Sequence, residues 1–509
     1  MNVGCLHLDN KSLSENCGIN VVWLKRDLRL RDHAPLQHAM RSDLPVLLLY
    51  IVEPELVADS HYDLRHWRFI FQSIVDINSH LGEANVTVLY GSAIACLNKL
   101  NQYWKINTVW SYQEIGLDVT FKRDLDVKQW CYEHQVTWCE FETGAVRRGI
   151  TNRINWDKHW QKAMRADIEP INLMCIPWLK LQPNDLVNLP VFDPPEAWLK
   201  TDAQFQVGGM SNAYRELNSF FQERGKSYAF QLSSPDLSRF ACSRMSAYLA
   251  WGNISLREFY QAVLANWHKK GWRKSLIALT SRLHWHCHFI QKFESECTIE
   301  YQPLNRAYTS FTYKHDQIAH KHFEAWKTGK TGYPIVDACM RALHKTGYVN
   351  FRMRAMLVSF LCHHLQLDWR WGAPHLASLF LDFEPGIHYA QFQMQSGMTG
   401  INTLRIYNPI KQSQEKDSDG VFIRQYVPEL AELPNELIHT PWLVTPMEQA
   451  MYQVTLGVDY PEPIVDIVET GKVARDVLWR WQKSLPARKE GARILARHVQ
   501  VRPRKKDKA

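Results

Sequence analysis

The sequence predicts an α/β N-terminal domain built on a parallel, Rossmann-like sheet, followed by a mainly α-helical domain. Three observations predict it. From Ile19 to about residue 145, short apolar runs alternate with helical intervals; from about Thr151 to Phe205 a proline-bearing stretch has no regular period; from Met210 onward, apolar residues recur at helical spacing. With 509 residues, 46% of them hydrophobic, the chain can bury at least two cores.

The strands read in order as Asn20 to Leu24, Val46 to Ile51, Asn85 to Tyr90, Thr108 to Ser111 and Val136 to Phe141. Alternation of such strands with helices gives a parallel sheet, and a ligand is expected at the carboxyl ends of its strands. Glu114 follows the fourth strand and is either a ligand contact or a solvent-facing loop carboxylate. The expected division is an α/β domain over 19–145, a connection over 146–209, a helical domain over 210–470, and a final stretch over 471–509. That last stretch reads as an amphipathic helix from Val473 to Leu485, bearing Trp479 and Trp481, and a basic tail from Arg502 to Lys508.

The helical domain is organised around Trp326 to Leu430. A glycine-punctuated turn, WKTGKTGYPIVDA, runs into a helix carrying Met340 and Leu343. Next, Arg352 and Arg354 stand two positions apart in an apolar run. A buried guanidinium needs a partner. Asp382 and Glu384 are the expected partners, or else they bind a ribose. Near Cys242, the residues Ser243, Arg244, Met245 and Ser246 place hydroxyls and backbone donors at a helix start, where they either cap the helix or bind phosphate. His284 and His288 are four apart on one helix face, a spacing that suits a metal pair. No third ligand stands near them in sequence, so no metal is expected.

Composition narrows the function classes. No apolar run approaches membrane-spanning length and residues 1 to 19 are polar, so a cytoplasmic protein without membrane contact is expected. Eleven cysteines without a CxxC pair read as thiols. The formal charge of +8 fits a polyanionic partner. Twenty tryptophans exceed what a core needs, and the surplus is available to stack on a cofactor or a base, or to carry electrons. The lack of a GxGxxG fingerprint argues against a dark dinucleotide-dependent flavoprotein.

In this order, WKTGKTGYPIVDA, TGYVNFRMRAM, LDWRW, the acidic pair, RIYNPIKQ and FIRQYVPEL closely resemble the flavin domain of the DNA photolyase and cryptochrome family. VWLKRDLRLRDH resembles that family's N-terminal signature, with His33 where asparagine is usual. The resemblance implies FAD, with Tyr228, Ser243, Arg244, Met245, Ser246, Arg354, Asp382, Glu384 and His388 as its contacts. It implies an antenna site near Glu114 that holds folate, deazaflavin or flavin, or stays empty. It implies no iron–sulfur cluster, since no cysteine follows Cys362.

The implied activity is light-driven repair of pyrimidine dimers in UV-damaged DNA by a monomer, with cyclobutane dimers the leading substrate. Trp285 matches the tryptophan that packs against the lesion, and Arg282, His284 and Arg352 are expected beside the DNA. The sequence departs from the family at Arg282, where glutamate is common, and at Ala355, where many cyclobutane-dimer enzymes have methionine. His388 matches the family position that faces flavin N5, where asparagine or aspartate is usual, and an imidazole, which ordinarily titrates near neutrality, could control flavin protonation there. Trp369 matches the middle of the family's tryptophan chain, but the flavin-proximal position is Phe392. Photoreduction is therefore expected through Tyr389 or Trp371, or from an external reductant. The alternative is a cryptochrome-like photoreceptor that binds FAD and signals without repair.

Overall fold

The computed structural model describes residues 18–82, 84–168, 170–181 and 183–499. The chain forms two compact units. The first takes everything described up to Arg147, with Lys162–Leu217 and Met245–Leu264; the second takes Arg148–Gln161, Asn218–Arg244 and the chain from Ala265. The stretch 146–209, expected as a connection, is thus divided between the units. Residues 245–264, expected in the helical domain, belong to the first. Hydrogen bonds explain the latter: Arg26 Nε donates to the Ala250 carbonyl (3.1 Å), Arg29 Nη1 to that of Gly252 (3.2 Å), and Asn253 Nδ2 to that of Leu28 (3.0 Å).

In the first unit, β1 (Ile19–Leu24), β2 (Val46–Val52), β3 (Thr87–Tyr90), β4 (Ile106–Tyr112) and β5 (Thr137–Phe141) pair in parallel in the order β3-β2-β1-β4-β5. Every residue of β1 and β2 is buried, which is why these strands, Asn20 apart, read as apolar runs rather than alternating ones. After β1, helix α1 (Ala34–Ala39) begins at His33. The His33 ring does a helix-capping asparagine's work: Nδ1 accepts from Leu36 N (3.1 Å), and Nε2 therefore carries the proton donated to Asp27 (2.8 Å).

The second unit is helical. Its elements near the site are α2 (Arg273–Ser295), α3 (Pro334–Thr346), α4 (Phe351–Ser359), α5 (Trp369–Leu379), α6 (Pro385–Gln395), α7 (Pro409–Lys416), α8 (Ile467–Lys483) and α9 (Leu485–His498). Trp326, Leu343, Met353, Leu361, Trp369 and Leu376 are among its buried side chains. The turn before α3 is held from inside. Asp337 accepts from Thr331 N (2.8 Å), Thr331 Oγ1 (2.7 Å), Gly332 N (3.1 Å) and the Tyr460 hydroxyl (2.6 Å). Gly332 adopts φ +78°, and a Cβ there would lie 2.3 Å from the Glu462 carbonyl oxygen, so both conformation and space require glycine.

At the C-terminal end the expected helix starts earlier, at Ile467, because Asp466 caps it by accepting from Val468 N (2.7 Å) and Glu469 N (3.2 Å). A further helix, α9, follows without having been anticipated. Its Arg493 and His498 hydrogen-bond to Glu296, the residue that ends α2. The basic tail from Arg502 lies outside the described residues. No described helix is long and apolar enough to cross a membrane.

Candidate functional site

A cavity of about 40 Å³ is walled by α4, α5, α6 and the acidic loop between the last two. Its geometry follows from local rules. Asn350 caps α4 by accepting from Met353 N (3.0 Å), which sets Phe351, Arg354, Ala355 and Val358 on the cavity wall at helical spacing. Glu384 caps α6 by accepting from Gly386 N (3.4 Å), with Pro385 in the first turn, and this sets Ile387, His388, Gln391, Phe392 and Gln395 on the facing wall. Gly386 also allows a close crossing of two helices, since a Cβ there would lie 2.7 Å from the Ile290 Cα of α2.

Six polar side chains interrupt these apolar walls: Arg354, Asp382, Glu384, His388, Gln391 and Gln395. Arg354 Nη2 pairs with Asp382 Oδ2 at 2.8 Å, its Nε donates to the Val349 carbonyl (2.9 Å), and its guanidinium lies 4.0 Å from the centre of the Phe380 ring. This is the pairing expected from a cation in an apolar run. Arg352 does not share it. Its Nη1 donates to Gln412 (3.1 Å), because residues two apart on a helix point to different faces. His388 Nε2 donates to the Ala373 carbonyl (2.9 Å), which leaves Nδ1 as the lone-pair nitrogen in the neutral ring.

Trp369 is fully buried, its ring 6.4 Å from Tyr389 and 6.5 Å from Phe392. Trp371 is half-buried against His320 (4.8 Å) and Phe323 (5.4 Å). On α2, Trp285 is 47% exposed, with His288 and Phe289 beside it. Arg282 donates to the Ala278 carbonyl (2.9 Å) and lies 5.8 Å from the ring of Tyr228. Tyr228 is buried, which pushes its hydroxyl pKa up. His284 pairs with Asp157 (3.1 Å) and lies against Trp156 and Trp160, its side chain 34% exposed. Burial, aided by Lys292 and Arg153, pushes the His288 pKa down to about 2.

The segment read as a phosphate site is a folded-back loop. Arg244 adopts φ +60° with its guanidinium 3.8 Å from the Tyr348 ring centre, and Arg224 Nη2 donates to the Ser243 carbonyl (3.3 Å). Met245 and Ser246 belong to the first unit, where the five-residue helix from Ser246 has no side-chain cap; neither serine caps it. In the same unit, Glu114 is no solvent-facing carboxylate. Its side chain is 6% exposed and pairs with Arg123 at 2.6 Å, and Arg123 also binds Glu53 (2.7 Å) and Asp124 (2.8 Å).

Sequence reasoning missed the aromatic walls, Phe351, Phe380 and Phe383, although each lies within two positions of a residue it singled out. It also missed a second, wider groove of about 750 Å³ that takes in Arg352, Arg405, Lys411, Arg475 and Trp479.

A family model described as the FAD binding domain of DNA photolyase matches residues 279–480, and one described as DNA photolyase matches residues 20–148. The chain is 28% identical over 487 residues to a cryptochrome DASH of Synechocystis, covering 90% of this chain and 97% of that one. It is 25% identical over 483 residues to a deoxyribodipyrimidine photo-lyase of Alkalihalophilus pseudofirmus, covering 88% and 95%. The crystal structure of a bacterial class III photolyase from Agrobacterium tumefaciens superposes with a TM-score of 0.78 at 25% identity, covering 93% of this chain and all of that one. Apolar walls interrupted by two carboxylates, a guanidinium and an imidazole fit a heterocycle with a polar margin, the chemistry of a flavin ring.

Proposed function

Because this chain belongs to the DNA photolyase and cryptochrome family and carries its FAD-binding domain, we propose that it repairs UV-induced pyrimidine dimers in DNA using light, cyclobutane dimers first among them. The observation that carries the reading is the cavity bounded by the Arg354–Asp382 pair and His388 on α4 to α6, packed at Gly386 against the helix that presents a half-exposed Trp285. When bound, reduced and photoexcited FAD supplies the electron that opens the dimer and takes it back.

The chain's own residues hold the reactants. Asp382 fixes the Arg354 guanidinium, so a cofactor meets a cation whose position is already set. The Ala373 carbonyl orients the His388 ring, which presents Nδ1 as acceptor when neutral and as donor when protonated. Phe351, Phe380, Phe383 and Phe392 keep water from the cavity walls. Trp285 offers an indole face to a flipped base, and damaged pairs flip most cheaply because their stacking is already weak. Glu114, held through Oε2 by Arg123, is the carboxylate that would meet an antenna chromophore.

The test is repair by the purified, reduced, FAD-loaded protein of oligonucleotides carrying one cyclobutane dimer or one (6-4) product, in light and in darkness. Light-dependent recovery of intact thymines from the cyclobutane dimer is expected. Arg282, Ala355 and Phe392 favour a second reading, a photoreceptor that signals without repair. Recovery from neither lesion, with a flavin spectrum that still changes on illumination, replaces the first reading by this one.

A further inference from the structure

We propose that the groove between α7 and α8 is a second nucleic-acid contact, in which Trp479 stacks on an unpaired base and Arg405, Lys411 and Arg475 hold the adjoining phosphates. The proposal deepens the repair reading and rests on it.

The groove is built from four parts of the second unit. Arg475 and Trp479 are one turn apart on α8, so their side chains share a face. Lys411, Gln412 and Glu415 form the α7 wall, and Arg405 lies on the segment leading to α7. Arg352 enters from α4, tied to Gln412. Four cations thus face a single carboxylate, Glu415. Its contacts with Lys411 (3.9 Å) and Lys416 (3.8 Å) are long, and its side chain is 44% exposed, so it neutralises little. Trp479 is 52% exposed in the midst of these charges. An indole surrounded by cations offers an apolar face and a positive field together, which matches a base joined to phosphates.

The occupant is a strand rather than a closed duplex, since paired and stacked bases offer no free face to an indole. Extruding a lesion supplies such a base. Flipping leaves the neighbouring nucleotides unstacked, and α4 lines both the cavity, through Phe351, Arg354 and Ala355, and the groove, through Arg352. A strand delivering its damaged bases to the cavity passes Arg352 and enters the groove.

The experiment is anisotropy of a labelled, undamaged single-stranded oligothymidylate with the FAD-loaded full chain, titrated at several salt concentrations. Trp479→Ala is expected to weaken binding about fivefold or more at fixed salt, with Trp479→Phe retaining most of the affinity. Arg475→Ala is expected to reduce the slope of log affinity against log salt by about 0.7, one phosphate contact on a single strand. Circular dichroism and flavin content matching the parent protein show that both variants are folded. If the parent binds DNA and these variants bind equally well, the groove assignment is overturned and the repair reading stands. If the parent binds neither this oligonucleotide nor lesion-bearing duplex, both fall. Equal competition by an oligoglutamate peptide of the same charge also overturns the assignment, in favour of an acidic protein segment.

Discussion

Glu296 closes the end of the helix that carries Trp285, and its replacement by glutamine has a calculable cost. The carboxylate is 5% exposed and accepts from Arg493 Nη1 and from His498 Nε2 (3.3 Å), with Arg497 Nη1 at 3.8 Å. Burial alone would raise its pKa, but the hydrogen bonds from His498 and Arg493 and their charges bring it from 4.5 down to about 2. A difference of about 2.5 units at 1.36 kcal/mol each gives about 3.4 kcal/mol as an upper bound. The Arg493 and Arg497 side chains are 27% and 36% exposed, so solvent screening reduces this to about 2 kcal/mol.

The folded-state pKa is the lower one, so the contribution is complete above about pH 4.5 and fades as pH falls towards 2. Urea unfolding of the parent protein and Glu296→Gln should therefore differ by about 2 kcal/mol at pH 7 and by less than half of that at pH 3. A difference that stays constant between those pH values, or grows on acidification, would refute the charge-based account.

Three further outcomes are expected. Asp382→Asn leaves the Arg354 guanidinium without its carboxylate and should weaken FAD retention roughly tenfold, for a charged hydrogen bond of about 1.5–3 kcal/mol; an unchanged visible-to-ultraviolet absorbance ratio after gel filtration would make the pair purely structural. Asp337→Ala strips four buried donors of their shared acceptor and should cost about 3 kcal/mol or more in urea unfolding, and a loss under about 1 kcal/mol would contradict its role in holding the turn. Trp369→Phe removes the buried indole closest in kind to an electron relay, 6.5 Å from Phe392, and should slow photoreduction of bound flavin by a thiol at least about tenfold; an equal rate would move the route to Trp371 or to direct reduction from solution.

The sequence by itself determined what depends on local order. The central strands β1 and β2 were legible because strands buried on both faces are mostly apolar, and the turn before α3 because its glycines punctuate a helical period. The Arg354–Asp382 pair was legible because a cation in an apolar helix demands a carboxylate, and few acidic residues stand near. The same demand misassigned Arg352, since spacing along the chain does not state which way a side chain faces once the helix is packed. Only the tertiary structure decided that Glu114 is locked to Arg123, that α9 grips the end of α2, and that Arg405, Lys411, Arg475 and Trp479 share one groove. Each of these joins residues from separate elements, and such contacts arise from how helices cross and pack, which no local period or motif spacing encodes.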